Sequence, residues 1–302
     1  MNQTIAALWR KLFFSPYFFT IALRRKAGGD ILSDPGFAAE YVFPATPHKW
    51  AADPILVDHQ GETYLFYEAV YGTKGRIEVV KVYEDCTVSE PTVILEDECH
   101  YSYPFVFRYQ QDWYMIPESS ASEEVCLYKA VEFPVKWEKE NILLHQKSVD
   151  TTVFEQNGNL WLLTFLLCPG TEYVRPQAYR MDWNQGYPVL IPVIWENWDG
   201  LKSRGAGPLF LADGNLIRPA QRNEENQYGN GLLFYRVQPG SSSYAEVQTG
   251  SLSHEQVQAD GIWLDGLHTY TVSEKFEAID IRCRAFDVWK VLRVLWNKLC
   301  KK

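Results

Sequence analysis

A β-hairpin unit that recurs five times constrains this chain more than any other feature. Its first copy runs from His48 to Glu68, where two short runs of apolar, β-branched and aromatic residues flank a polar tip at His59 to Glu62, and Gly61 supplies a left-handed turn position. With the turn centred between Gln60 and Gly61, Asp53 and Glu68 are equally distant from it, so antiparallel pairing brings both carboxylates to one end of the hairpin. The second copy runs from Tyr103 to Glu118 about a tip at Tyr109 to Asp112. The third runs from Asp150 to Leu163 about Gln156-Asn157-Gly158-Asn159, and the fourth from Gly207 to Gln221 about Asp213-Gly214-Asn215, with Gln221 where the first two copies carry Glu. Leu267 to Asp280, about Ser273 to Lys275, is a shorter fifth. The starts fall about 47 to 60 residues apart, the spacing of four-stranded propeller blades. The expected fold is all-β, a five-bladed β-propeller over residues 17–285. Tyr17 to Leu23 reads as the strand that completes the last blade and leaves no open edge.

Both chain ends depart from this pattern. Residues 1–16 carry Ile5, Leu8, Trp9, Leu12, Phe13 and Phe14 beside Arg10 and Lys11, which predicts a short helix ended by Pro16. In residues 286–302, Phe286, Trp289, Leu292, Leu295, Trp296 and Leu299 recur at helical spacing with lysines and Arg293 on the flanks, which predicts a basic amphipathic helix. Residues 1–26 hold five basic residues and no acid, and residues 286–302 hold five basic residues against Asp287. The formal charge of −9 therefore conceals a body of −18 between ends of +5 and +4. An acidic body argues against a nucleic-acid partner, which would need a basic face. Basic, Trp-containing ends suit an anionic membrane surface, reached through residues 1–26 and 286–302.

The six cysteines show neither a CxxC pair nor metal-finger spacing, and no apolar run reaches the roughly 18 residues that would span a bilayer. Arg10-Lys11 interrupts the N-terminal apolar stretch, as a signal peptide would not. These features predict a cytoplasmic protein, peripheral on the inner membrane face, with no metal site.

In a propeller the innermost strands line a channel, and one rim of it collects a strand end from every blade. Asp53, Glu68, Tyr103, Glu118, Asp150, Arg218, Gln221 and His268 all occupy such rim positions. Any one has a plain structural reading; their recurrence predicts a ring of polar groups. Carboxylates accept hydrogen bonds from sugar hydroxyls. Trp50, Tyr101, Tyr103 and Trp161 offer aromatic faces, and His100 and Arg204 are further donors. Two carboxyls flanking a glycosidic bond can act as acid and base. Asp53 is the expected base or nucleophile, Glu118 or Glu68 the acid, and Asp150 a substrate-holding or tuning group.

Trp50-Ala51-Ala52-Asp53-Pro54, Tyr101-Ser102-Tyr103-Pro104-Phe105, Met115-Ile116-Pro117-Glu118, Val149-Asp150-Thr151-Thr152-Val153-Phe154, Arg218-Pro219-Ala220-Gln221 and Gly266-Leu267-His268-Thr269-Tyr270 together resemble the propeller domain found at the N-terminus of plant glucosamine inositolphosphorylceramide transferases and in bacterial surface-glycan loci. More distantly, the chain is similar to the five-bladed glycosidases of families 32, 43 and 68. In the inverting family 43 enzymes the first and second blades each supply an Asp and the third a Glu. Asp53 matches the first, and Tyr103 stands where the second would fall. The resemblance implies action on a glycan or glycolipid in surface-polysaccharide assembly, by glycosyl transfer at the cytoplasmic membrane face. No cofactor is expected, but such transfer would draw on a nucleotide-sugar donor, although the sequence has neither a Gly-rich phosphate loop nor a DxD triplet. An inverting glycoside hydrolase using Asp53 and Glu118, and a glycan-binding module without catalysis, are the alternatives.

Overall fold

A computed structural model of the protein describes residues 13–26, 28–119, 122–168, 174–184, 186–196, 204–224, 227–240 and 242–286. Among these the strands fall into successive antiparallel quartets. The first comprises Lys49–His59, Glu62–Tyr71, Lys74–Val82 and Thr92–Leu95. The second comprises Tyr101–Tyr109, Asp112–Ser119, Val125–Glu132 and Lys136–Leu144. Ser148–Gln156, Asn159–Leu167, Val174–Asn184 and Tyr187–Trp195 follow, then Phe210–Ala212, Asn215–Glu224, Gln227–Pro239 and Ser243–Ser253. The last quartet joins the two ends of the chain: Leu264–Val272 and Phe276–Cys283 pair with Phe18–Arg25, which pairs in turn with Tyr41–Val42.

Burial explains why these segments are strands although few alternate strictly. Phe18 to Leu23 and all of Phe276–Cys283 are buried without a break, as expected for strands covered on both faces. Separate apolar layers fill the gaps between quartets. Ile55, Phe66 and Ile77 meet Tyr101, Val106 and Met115. Phe105, Ile116 and Leu127 meet Val153, Leu162 and Tyr179. Phe154, Trp161 and Leu163 meet Val237 and Tyr244, and Phe210, Ile217 and Phe234 meet Leu267, Tyr270 and Ile279. Ile21, Leu23, Phe276 and Ala278 then pack on Leu56, Leu65 and Val80, so the last quartet returns to the first. Phe18–Arg25 pairs with Phe276–Cys283 from Phe18↔Cys283 to Arg25↔Phe276. Without it the latter strand would be an open edge.

Residues 1–12 and 287–302, which hold most of the two expected terminal helices, lie outside the described residues. Of the two expected helices, residues 13–16 and Phe286 are described. Phe14 forms an antiparallel bridge with Phe286, and the Ser15 N–H donates to the Ala285 carbonyl at 2.8 Å, because the paired strands beneath them carry both ends outward side by side. The described residues include a 3-10 helix, His254–Gln256, and no α-helix of a full turn.

Candidate functional site

The inner strands share a local device that hairpin symmetry alone does not show. Glu68 pairs with Ala52 rather than with Asp53, and Glu118 with Ser102 rather than with Tyr103, because each inner strand carries an irregularity one step further on. The register jumps between Ala52 and Ile55, Ser102 and Phe105, Val149 and Thr152, and Leu267 and Tyr270. At the first three jumps the extra residue is left-handed: Asp53 at φ 52°, Tyr103 at φ 42° and Asp150 at φ 52°. For a residue with a Cβ this conformation costs on the order of 1–2 kcal/mol, most conspicuously for a bulky Tyr, so it persists only where its surroundings fix it. β-Bulges commonly re-aim a side chain next to a functional site. Here they turn residues from separate quartets towards one hub.

Asp53, His268 and Asp280 form one cluster. His268 Nε2 lies 3.4 Å from Asp53 Oδ1, and its Nδ1 lies 2.7 Å from Asp280 Oδ2. Asp280 is fully buried and also accepts the backbone N–H groups of Asp53, His268 and Thr269. Asp53 Oδ1 accepts the Thr269 hydroxyl at 3.0 Å, and Oδ2 the Tyr103 N–H at 3.2 Å. Burial, followed by Glu68, Asp280 and Asp150, pushes the Asp53 carboxyl up to about 7 against the pull of His268. Burial opposes charge on His268, but Asp280 and Asp53 outweigh it and raise the imidazole to about 9. At neutral pH the ring is therefore a cation between two carboxyl groups. Ligand atoms of Asp53, His268 and Asp280 lie within 4.8 Å of one another, so this group could hold a metal ion; the sequence expectation of no metal site did not include Asp280.

Glu118, Asp150 and Arg204 form a second cluster. Arg204 grips Asp150 with both arms, Nε to Oδ2 at 2.7 Å and a terminal nitrogen to Oδ1 at 3.1 Å. Glu118 Oε2 accepts the Asp150 N–H at 3.3 Å. Burial and then the Asp150 carboxylate push Glu118 up to about 8, only partly offset by Arg204. Glu118 thus holds its proton at neutral pH. Tyr103 reaches from the first cluster towards the second: its N–H donates to Asp53, while its hydroxyl accepts the Gly207 N–H at 2.9 Å and bonds Thr152 at 2.9 Å, whose own hydroxyl lies 3.4 Å from the Asp150 carbonyl.

Glu68 and His100 sit at the rim. The Gly75 N–H donates to His100 Nδ1 at 3.0 Å, so the neutral tautomer carries its proton on Nε2, which lies 2.7 Å from Glu68 Oε1. The bond to Glu68 raises the pKa of His100, whereas protonating Nδ1 would sacrifice the Gly75 bond. Trp50 is half-buried and reaches the hub through Phe19, 6.1 Å away between ring centres; Phe19 in turn covers His268 at 4.4 Å.

Other expected site residues are engaged in packing. Arg218 is buried and makes a bidentate pair with Glu246, at 2.8 and 2.6 Å, among Phe165, Trp195 and Tyr235. Trp161 is buried against Phe154, and the Tyr101 hydroxyl donates to Asp97 at 2.6 Å, away from the hub acids. Gln221 is buried beside the hub, where Nε2 donates to the Gly205 carbonyl and its own N–H to the Arg204 carbonyl. The sequence reading missed Asp280, Thr269 and Tyr228. Tyr228 packs 5.1 Å from the His268 ring, with the Arg204 guanidinium 5.8 Å from its own ring centre. A cavity of about 280 Å³ lined by Lys26, Asp30, Asp213 and Glu277 lies at the hairpin-tip end and shares none of these residues.

Strand quartets of this kind define the propeller class. The fold matches the α-L-arabinofuranosidase from Lactobacillus brevis with a TM-score of 0.52 at 16% identity, covering 74% of this chain and 80% of that one. It matches the GH43_1 enzyme from Xanthomonas citri with a TM-score of 0.54 at 11% identity, over 81% and 90% of the two chains. The Bombyx mori GH32 β-fructofuranosidase BmSUC1 gives 0.53 at 13% identity, over 75% and 56%. At such identities the likeness shows the fold alone. The chain belongs to the family described as glucosamine inositolphosphorylceramide transferase 1, N-terminal, whose model matches residues 35–275. It is 29% identical over 227 residues to the glucosamine inositolphosphorylceramide transferase 1 of Oryza sativa subsp. japonica, and 30% identical over 224 residues to that of Arabidopsis thaliana, covering 72% and 70% of this chain. The matched part is 30% and 28% of those relatives' length.

Proposed function

We propose that the chain is a carbohydrate-active domain whose quartets are the blades of a closed five-bladed propeller and whose hub takes a sugar of a glycan or glycolipid for glycosyl transfer. One observation carries the reading. Two carboxyl groups, Asp53 and Glu118, are pushed to about 7 and about 8 in one hub that also holds Asp150, Arg204 and His268. Groups poised near the working pH suit general acid–base chemistry, and a buried ring of acceptors with few donors suits hydroxyl groups. Glu118 acts as the acid and Asp53 as the base, with Asp150 and Arg204 holding substrate. Turnover then rises as Asp53 loses its proton and falls as Glu118 loses its own.

The family relationship supports transfer, and the reading extends to surface-polysaccharide assembly at the cytoplasmic membrane face with a nucleotide-sugar donor. The acid pair equally fits hydrolysis, so the test must separate the two. Incubation with labelled nucleotide sugars and a glycolipid acceptor should give a labelled lipid product, lost in Asp53→Asn and Glu118→Gln variants that keep the native melting temperature. Release of free sugar from a glycan instead would establish the hydrolase, and saccharide binding without turnover of any kind would establish a binding module. Full activity in both variants would exclude the assigned acid and base.

A further inference from the structure

We propose that the end of the fold from which both chain ends leave, the end nearer the hub residues, is the docking face for an anionic lipid bilayer, so that the hub lies on the membrane side of the domain. The proposal deepens the carbohydrate reading and rests on it only for what enters the hub; the docking itself stands on separate observations.

Strand direction fixes which end this is. Tyr103 and Asp150 are the third residues of Tyr101–Tyr109 and Ser148–Gln156, and Asp53 and His268 the fifth of Lys49–His59 and Leu264–Val272, so each lies several residues back from its hairpin tip. The hairpin tips, where His59 pairs with Glu62, Tyr109 with Asp112 and Gln156 with Asn159, therefore occupy the opposite end. Both chain ends leave from the hub end. Cys283 pairs with Phe18 and with Leu264, Ala285 is hydrogen-bonded to Ser15, and Phe14 bridges Phe286.

An aromatic surface surrounds that exit. Tyr17, Trp263 and Phe286 are 48%, 40% and 58% exposed. Phe14 touches both Trp263, at 4.5 Å, and Phe286, at 5.3 Å, while Arg282 and Arg284 each lie 5.8 Å from the Tyr17 ring. The surface continues inward: Tyr17 meets Phe19 at 6.0 Å, and Phe19 covers His268. Aromatic rings with a polar or cationic edge favour the water–lipid boundary.

Charge selects the occupant. The segments that leave here, 1–12 and 287–302, carry Arg10 and Lys11, then Lys290, Arg293, Lys298, Lys301 and Lys302 against Asp287, interleaved with Trp289, Leu292, Leu295, Trp296 and Leu299. The body between residues 26 and 286 is strongly acidic. The cations carried by these segments attract an anionic bilayer to this end, against a body whose net charge is negative.

Hydrogen exchange on the full chain tests the arrangement, with vesicles of phosphatidylcholine alone and with about 30% phosphatidylglycerol added to supply surface charge. The anionic vesicles should bind the protein and protect amides at 13–19, 260–264 and 283–286 while leaving the tips at 59–62, 109–112 and 156–159 unchanged. Replacing Lys290, Arg293 and Lys298 together by Gln should weaken this binding about a hundredfold. Protection at the hairpin tips, equal binding to both vesicle types, or native binding by the triple variant would overturn the proposal. Saccharide binding measured without vesicles reports on the hub separately; its failure alone would remove the carbohydrate reading and leave the docking face standing.

Discussion

Asp280 Oδ2 lies 2.7 Å from His268 Nδ1, while its Oδ1 accepts the backbone N–H groups of both His268 and Thr269. One buried carboxylate therefore fixes both the bulged backbone and the imidazole that faces Asp53. Asp280 comes from the second strand of its hairpin, so the strand that buries it also orients the ring.

Asp280→Asn removes the negative charge and keeps the shape. The His268 imidazole, raised to about 9 chiefly by that carboxylate against its own burial, should titrate well below that value in the variant. Titration of the labelled imidazole by NMR reads the effect directly; an unchanged His268 would show that Asp280 does not support its charge.

Stability should fall as pH rises. Asp53, Glu118 and His268 all have folded-state pKa values above their ordinary ones, about 7, about 8 and about 9. The native state then binds more protons than the unfolded chain between roughly pH 4 and pH 9, and linkage makes stability decline across that window. The contribution is fully present below the ordinary carboxyl range and lost as pH passes through the folded values. Urea unfolding at a series of pH values should show the decline, and Glu118→Gln should make it shallower between roughly pH 4.5 and pH 8.

Glu246→Ala should leave the Arg218 guanidinium buried without its bidentate partner. Breaking such a pair from one side typically costs about 3–5 kcal/mol. Chemical denaturation should report this loss, while saccharide affinity of the folded fraction stays native, since the pair packs between strands away from the hub.

Gly75 has no room for a side chain. An added Cβ would lie 2.7 Å from Glu68 Oε1, from His100 Nε2 and from the Tyr101 carbonyl. The two side chains can turn aside but the carbonyl cannot, so Gly75→Ala should cost about 1–3 kcal/mol and displace Glu68 and His100 from the rim. Weaker saccharide binding at a modestly lower melting temperature is expected. A variant that matches the native protein in both would show that the rim tolerates the added methyl.

Much of the fold was legible because each hairpin writes its own tip and flanking strands into consecutive residues, as His59 to Glu62 and Gln156 to Asn159 do. Asp53, Glu118 and Asp150 could be singled out because they recur at matching places. Asp280 and Thr269 were not chosen, although they lie in the fifth hairpin, because their role depends on a contact with Asp53 more than 200 residues away. The bulges were also invisible, since a left-handed Tyr103 is held by Thr152 and Gly207, 49 and 104 residues further along the chain. Arg218 and Trp161 carried the right chemistry at the right spacing, yet their side chains fill the gaps between quartets. Periodicity reports position along a strand better than which neighbour a side chain meets.

The most direct measurement is a crystal structure of the protein soaked with neutral saccharides and, separately, with a nucleotide sugar. The account predicts a pyranose in the hub, hydrogen-bonded to Glu118 and Arg204 and within reach of Asp53. A hub that stays empty while sugar occupies the cavity beside Asp213 and Glu277, or no bound sugar at all, would contradict it.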